Sequence, residues 1–429
     1  MKLSICSWHS RQRGAATLVV VMVLFLVMAL LAAYANRSLL FEQRIASSYF
    51  RASVAQEVAE AGVEWTLAQL NGTAIDAACK PVDTGGQRFA DRYLLINTAD
   101  RRISPADTTL DCARDTANEG WSCRCPATSA AHTAQTAVAG SDLVPSFNIG
   151  LQSGNRGGTL TLKALGCTDS VADQCDSAIN MVAISKNQLA RTNLTVKIGL
   201  VGAVRSPPAA PLVVRGDIAS TGAGLGLHNG DPRSAGQLAV MGGSWTGKVD
   251  GRLESVPGTA TGQVVIETDT TLADTSLTAE GVFKMFMGTN LARYRKHPAL
   301  RTVTCASDCA TALETAYTAG QRILWVQGNL RIASSKVLGS VSDPVLIVAN
   351  GDVTLAGPLQ INGMLVATGA LAWSNDSAMP SVVNGMVLVG GGMATSGRMD
   401  VIYQQAVADQ MRNRLGSYVR IPGGWIDIN

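Results

Sequence analysis

The sequence predicts an α+β protein in which a long N-terminal helix packs on a small antiparallel sheet and is followed by a glycine-rich, β-solenoid-like domain. Three observations predict this fold: an uncharged run at 15–35 that continues as a helical pattern, alternating strand patterns between 147 and 200, and a short phrase that recurs in the C-terminal half. The 429 residues, 47% of them apolar, are sufficient for two or three domains. The formal charge of +3 lacks the basic excess of nucleic-acid binders, so we expect no nucleic-acid partner.

The first predicted element is a transmembrane segment at 15–35. Lys2, Arg11 and Arg13 precede this run, which contains no charged residue. At about 1.5 Å per residue the run spans roughly 30 Å, the thickness of the hydrocarbon core, and the basic residues hold the preceding end in the cytoplasm. A secretory signal cut near 33–35 is an alternative, but its apolar core is usually shorter. An uncut signal anchor is a second alternative. We expect everything after the run to be exported.

The sequence Arg11–Val19 (Arg-Gln-Arg-Gly-Ala-Ala-Thr-Leu-Val) resembles the class III leader of type IV pilins. The resemblance implies that 1–14 is a leader, that prepilin peptidase cuts between Gly14 and Ala15, and that the apolar helix stays on the protein as membrane anchor and later as filament core. Most pilins carry glutamate at the fifth mature position. Here that position is Val19, a departure shared with PilX-type minor pilins and the K-type minor pseudopilin. Because no subunit lies above the tip, a chain without this carboxylate suits a tip or priming position.

The second predicted element, 36–71, continues the helix outside the membrane. It contains no proline, and Asn71 followed by glycine is a helix stop signal. Its apolar residues recur at spacings of three and four and define one face, namely Phe50, Val54, Val58, Ala61, Trp65 and Ala68. The stretch 55–65 is similar to the segment of PilX-like proteins where the helix docks on its head.

A head at 72–205 and a linker at 206–211 are predicted next. The segments 147–151, 158–162 and 193–200 alternate polar and apolar residues, which predicts a small antiparallel sheet. The long helix packed on this sheet is what the pilin resemblance implies for the first 200 residues. The proline-rich 206–211 is typical of a stiff linker.

Cysteine usage favours disulfides in an oxidising compartment. Nine cysteines are present, and removal of the leader takes Cys6 and leaves eight. Two pairs are close in sequence, Cys167 with Cys175 and Cys305 with Cys309, and we favour these local bridges. The other four allow three connectivities, which stay open: Cys79, Cys112, Cys123 and Cys125. The single residue between Cys123 and Cys125 is too short for the usual zinc spacing, so we expect neither metal nor cofactor.

The last predicted domain, 212–429, rests on a repeated phrase of apolar residues followed by glycine. It occurs at 212–218, 324–330, 347–353 and 365–371, with a looser copy at 388–394. The later glycines are roughly 20 residues apart, a spacing typical of solenoids whose coils stack because each alone cannot bury its apolar face. A helical insertion is expected near 281–287, and a helix with a terminal segment at 421–427 as a cap. That ending is similar to the terminus of PilX-like proteins, with Gly424 in place of serine.

No catalytic constellation is found in the sequence, so we expect a non-enzymatic protein. The first hypothesis is a PilX-like minor pilin that primes or caps a type IV pilus and presents an enlarged head. Its partners would be prepilin peptidase, other minor pilins and the major pilin through the helix, and the bacterial inner membrane before assembly. Its domain would lie in the periplasm and then on the pilus. The alternatives are a K-type component of a type II secretion pseudopilus and a membrane-anchored solenoid adhesin or glycan-active enzyme.

Overall fold

The computed structural model describes residues 13–106, 109–115, 120–124, 143–169 and 189–428. Its longest element is a single helix that runs from the apolar run to Asn71, as predicted. At 1.5 Å rise per residue this rod is roughly 90 Å long if straight. The helices in the described ranges are α1 (Arg13–Asn71), α2 (Phe89–Tyr93), α3 (Thr261–Val264), α4 (Ala279–Met287), α5 (Leu291–Tyr294), α6 (Ala310–Thr318) and α7 (Gln405–Asn413).

The predicted antiparallel sheet follows α1 and is confirmed. Its early strands are β1 (Ala74–Ile75), β2 (Gln87–Arg88), β3 (Leu94–Ile96), β4 (Ile103–Pro105), β5 (Thr109–Asp115), β6 (Gly120–Arg124), β7 (Ser146–Ser153), β8 (Thr159–Cys167) and β9 (Arg191–Gly202). Strands β1–β2 and β3–β4 form separate hairpins, and β6, β5, β7, β8 and β9 lie side by side in one sheet. Side chains of β8 and β9 alternate between buried and less buried, because one face of the sheet packs on α1.

The C-terminal half forms the expected stack of parallel coils, so the predicted α+β fold with a solenoid-like domain is confirmed. Its strands are β10 (Leu212–Val214), β11 (Ile218–His228), β12 (Ala239–Met241), β13 (Trp245–Thr246), β14 (Leu253–Glu254), β15 (Val265–Ile266), β16 (Leu300–Val303), β17 (Ile323–Gln327), β18 (Leu330–Ile332), β19 (Val337–Leu338), β20 (Val345–Asn350), β21 (Val353–Ala356), β22 (Gln360–Ala367), β23 (Leu371–Asn375), β24 (Val382–Val389) and β25 (Met393–Ile402). They form one 16-stranded sheet that curls into coils.

The repeated phrase marks equivalent positions of successive coils. Ile347 pairs in register with Leu324 on one side and with Leu365 on the other, and Leu365 pairs with Val387. The first phrase in the chain adds to the far end, where Leu212 pairs with Val387. Strands β17, β20, β22 and β24 are buried on both faces, between the interior of the coils and a second core under α4, α5 and α7. Burial on both faces explains why these phrases are continuously apolar and do not alternate.

Glycine is required where the repeated Asn-Gly-Met triplets stack. Gly363 and Gly385 have φ values of 153° and 143°. A Cβ on Gly385 would lie 1.9 Å from the carbonyl oxygen of Gly363 in the preceding coil. The neighbouring amides form a ladder, in which Asn384 donates to Asn362 at 2.8 Å and Asn362 donates to the carbonyl of Gly339 at 2.9 Å. The triplet therefore fixes the register between these coils.

The last strand, β26 (Gly416–Ile428), lies in the head sheet, whereas the sequence prediction placed it in the solenoid-like domain. It pairs antiparallel with β9, and its register breaks between Arg420 and Trp425. Without this pairing the edge of β9 would present open hydrogen-bonding groups, so the end of the chain covers that edge. The segment predicted as a linker is also packed, since Pro208, Ala210 and Pro211 are buried and the Pro211 carbonyl accepts from Val387 N–H at 2.7 Å.

Candidate assembly interface

The first half of α1 is an apolar rod that contacts no other part of the described chain. Every side chain from 16 to 47 is exposed. The most apolar window of this helix has a mean hydropathy of 3.0, and none of it is buried. Apolar side chains occupy all sides of the rod and not one stripe, which is typical of a helix surrounded by lipid or by other helices.

The second half of α1 is docked on the head sheet through small side chains. Its buried stripe recurs at spacings of three and four and consists of Ala55, Val58, Ala59, Gly62, Val63, Thr66 and Leu70. This stripe is rotated from the predicted face, because Phe50 and Ala68 are exposed and Trp65 is only partly buried. Trp65 packs at the flank, with its ring centroid 6.1 Å from those of Phe89 and Phe147.

Two glycines set how closely the helix approaches the sheet. A Cβ on Gly62 would lie 3.0 Å from the side chains of Phe147 and Ile149. A Cβ on Gly166 in β8 would lie 2.1 Å from the Ala55 carbonyl oxygen and would collide with the helix backbone. The sheet and the helix therefore meet backbone to backbone at this point. Sequence reasoning missed Gly166, since its role depends on a helix more than a hundred residues earlier.

The end of α1 is held by the last strand of the chain. Asn71 accepts from the Tyr418 N–H at 2.8 Å and donates through Nδ2 to the Tyr418 carbonyl at 2.9 Å. Glu64 forms an ion pair with Arg420 of the same strand. Burial raises the pKa of Tyr418, whose ring packs in the core between α1 and the sheet. The helix is thus fixed by contacts from residue 55 to residue 71 and by none before residue 47.

The residues predicted at the cleavage site lie at the start of this rod. Gly14 and Ala15 belong to the first turn of α1, which begins at Arg13. Val19 lies one turn further on with 58% of its surface exposed. No carboxylate occurs in α1 before Glu42. The predicted fifth mature position is therefore an exposed apolar side chain near the start of this rod.

The cysteines stabilise the head and one coil turn. A disulfide joins Cys112 and Cys123 on the adjacent strands β5 and β6, with a Cα–Cα distance of 4.0 Å. A second joins Cys305 and Cys309 just before α6. Cys79 and Cys167 are also disulfide-bonded. Cys125 and Cys175 lie outside the described residues, so the favoured Cys167–Cys175 bridge and the pairing of Cys79 remain predictions.

The described residues contain no group of three His, Cys, Asp or Glu side chains placed to hold a metal ion. A polar cluster in the coil domain is centred on His228, which bonds Glu254 at 2.9 Å and Asp400 at 3.0 Å. Arg252 also donates to Asp400, at 2.6 Å. The hydrogen bond that His228 makes to the Asp400 carboxylate raises the pKa of His228 above its ordinary value. This cluster ties β11, β14 and β25 together at one end of the coils and is explained by that structural role.

A helix with an exposed apolar first half and a second half docked on an antiparallel head sheet defines a pilin-like protein. Comparison with protein families gives a more particular result: residues 13–64 match the family model described as PilX N-terminal. The N-terminal segment of the chain is therefore PilX-like, and the resemblance found in the sequence is confirmed for it. The match extends from the predicted cleavage site through most of the docked stripe.

Other comparisons add little to this assignment. The search of curated proteins finds no match. Among solved structures, the chain is similar to the competence-associated pilin ComZ from Thermus thermophilus at 10% identity, covering 90% of this chain and 96% of that chain. The TM-score of 0.23 is too low to support any inference from that likeness.

Proposed function

We propose that this chain is a non-enzymatic minor pilin that primes or caps a type IV pilus and presents the coil domain as an enlarged head. The proposal rests on one observation, the division of α1 into an exposed apolar half and a docked half. An apolar rod of this length is stable only in lipid or among other apolar helices. Before assembly it would hold the protein in the inner membrane with the head in the periplasm, and after assembly it would contact the helices of other minor pilins and the major pilin.

The absence of an acid before Glu42 supports a place at the tip. A carboxylate buried in an apolar filament is costly unless it meets a cation. The resemblance to pilins implies that the glutamate at the fifth mature position contacts the N-terminal amine of a neighbouring subunit, and Val19 offers no charge for that contact. A subunit at the tip does not need it. The size of the head also favours the tip, because a shaft subunit must allow close packing on all sides.

The experiment that tests this proposal replaces the residue before the predicted cut. We expect Gly14→Val to leave the precursor unprocessed by prepilin peptidase and to abolish surface pili. Ala16→Val is the matched control, since it places the same valine side chain two residues on and leaves the glycine unchanged. Mass spectrometry of the native protein should find Ala15 as its first residue. Normal processing of Gly14→Val, or a different N-terminus, would overturn the proposal.

A second measurement separates a pilus from a type II secretion pseudopilus, which the helix alone does not distinguish. Filaments sheared from cells should carry the chain in substoichiometric amounts with a major pilin, and loss of the chain should reduce pilus number without affecting secretion. Loss of secretion with normal piliation would instead assign the chain to the pseudopilus.

A further inference from the structure

A large cleft opens where the head, the coil domain and the helical insertion meet. Its volume is about 890 Å³. One wall is the head, with the turn at Arg101 and the paired strands β9 and β26. The opposite wall is formed by the end of α4, by α5 and by the residues after it, and α7 closes one side. The cleft lies far along the chain from the exposed rod of α1 and is separate from the proposed assembly interface.

The lining of this cleft is strongly basic. Its cationic side chains come from four separate segments of the chain and are Arg101, Arg205, Arg293, Lys296 and Arg412. No aspartate or glutamate is among the residues that line it. The chain as a whole is nearly balanced, with 35 basic and 32 acidic residues, so this concentration of one sign is local. Because the charges come from distant segments, the fold itself assembles them.

Within the described part of the chain, none of these five cations forms an ion pair with a carboxylate. Arg205, Arg293, Lys296 and Arg412 are exposed to the cleft and to solvent. Arg101 is partly buried and donates to the Leu200 carbonyl at 2.8 Å, while its Nε is buried without a described partner. Burial, together with repulsion from Arg412, lowers the pKa of Arg101. Arg101 and Arg412 therefore repel each other, and none of the five cations is neutralised by a described carboxylate.

Two further features place a buried, unpartnered polar atom and a strained backbone at the same cleft. His297 is bonded through Nδ1 to the Ser417 hydroxyl, which itself accepts from the Ala299 N–H at 2.7 Å. The other ring nitrogen of His297, Nε2, is buried with no described partner. Arg101 has φ of 62°, a conformation that glycine or asparagine adopts more easily. Strain of this kind is concentrated at functional positions.

We propose that this cleft binds a compact phosphate group carrying two or more negative charges. The guanidinium forks of the arginines match the oxygens of phosphate, and a bound anion would remove the mutual repulsion of the five cations. The cleft is large enough for a phosphate ester with a small organic portion. A soluble phosphorylated compound and a lipid headgroup share this chemistry, and the experiment below distinguishes them.

The test titrates the full-length chain, reconstituted in phosphatidylcholine nanodiscs, with tripolyphosphate at low salt by calorimetry. We expect one site per chain, weakened about tenfold or more in the double variant Arg205→Gln/Arg293→Gln, because each removes a charge-assisted contact. The control double variant Arg301→Gln/Arg398→Gln removes two exposed arginines outside the cleft and should bind as the wild type does. Unchanged thermal unfolding would show that both double variants are folded.

A second arm uses a soluble short-chain phosphatidic acid in place of tripolyphosphate. Tighter cleft-dependent binding of tripolyphosphate assigns the site to a soluble phosphate, and tighter cleft-dependent binding of the lipid analogue assigns it to a headgroup. Lys296→Gln, added to the double variant, should weaken binding further. The proposal is overturned if the wild type binds neither compound at millimolar concentration, or if the cleft and control variants bind equally. Both outcomes are independent of the Gly14 experiment.

Discussion

The two halves of α1 belong to one unbroken helix yet solve different packing problems. The first half presents large apolar side chains in every direction and contacts nothing in the described chain. The second half presents a narrow stripe of alanine, glycine and valine to the sheet and polar side chains to solvent. Large side chains all round suit a surface that is shared with lipid and then with changing neighbours. Small side chains in one stripe suit a single permanent partner, because the backbones can approach closely.

The comparison teaches that the division between anchor and head is encoded by side-chain size and not by a break in secondary structure. The uncharged run ends at Ala35 and the buried stripe begins at Ala55, and the helix continues from one to the other with no proline. Changes in the first half should therefore alter membrane retention and assembly without altering the fold of the head. Changes in the second half should alter the fold of the head without altering membrane retention.

The largest effect is expected from a charge in the middle of the exposed half. We expect Leu24→Arg to lose membrane retention and filament incorporation, because an arginine at the centre of a bilayer helix costs about 2.5–3.5 kcal/mol for insertion. The unfolding temperature of the head should not change. Carbonate extraction of membranes and calorimetry of the purified protein measure the two properties, and Arg51→Leu serves as a control outside the apolar run. Retention equal to wild type would contradict the division.

A strong effect on the head is expected where helix and strand touch. Gly166→Ala should lower the stability of the head by about 3 kcal/mol, since its Cβ would meet the Ala55 carbonyl oxygen at 2.1 Å and force the helix away. Gly150→Ala on the neighbouring strand β7 is the matched control, because a Cβ there meets nothing within 4 Å. Thermal unfolding of both variants gives the comparison. Equal stability of the two variants would show that the helix does not dock as described.

The long helix, the antiparallel strands and the coil repeat could be predicted because each depends on a local pattern of apolar residues in the sequence. The docking face could not be placed correctly. Phe50 and Ala68 follow the same spacing as Val58, and which side of the helix is buried is decided by Gly166 on a distant strand. Local patterns carry no information on such a contact, so the predicted face was rotated from the observed one.

Two further features depend on tertiary contacts in the same way. The strand β26 has the apolar character of a coil cap, and only the open edge of β9 determines that it joins the head. The candidate assembly interface was predictable, since the predicted leader and the apolar run are contiguous in sequence. The basic cleft was not predictable, because its five cations are spread along the sequence from residue 101 to residue 412. The net charge of +3 gives no indication that they cluster in the fold.

The smallest expected effect is a pH dependence of the stability of the head, which involves the docked half of α1 and not the exposed half. His297 bonds Ser417, and the adjacent Tyr418 holds the end of α1 through Asn71. Burial lowers the pKa of His297 to about 4, against an ordinary value near 6.5, so between these values the unfolded chain binds more protons than the folded one. Stability of the head should therefore fall as the pH falls from 6.5 to 4, lowering the unfolding temperature by a few degrees.

Other groups titrate outside that window or with the opposite sign. The pKa of His228 is raised by Asp400, so its contribution is complete below pH 6.5 and is lost as the pH rises through the raised value. Asp343 and Asp400 have lowered pKa values. The stability that they contribute is therefore lost only as the pH falls below their ordinary pKa near 4. Calorimetry at pH 7, 6 and 5 on the wild type and on His297→Gln isolates the effect, because the variant should lose most of the slope. If His297→Gln retains the dependence of the unfolding temperature on pH, another group near the end of α1 titrates. Membrane retention by the exposed half should stay constant over the same pH range.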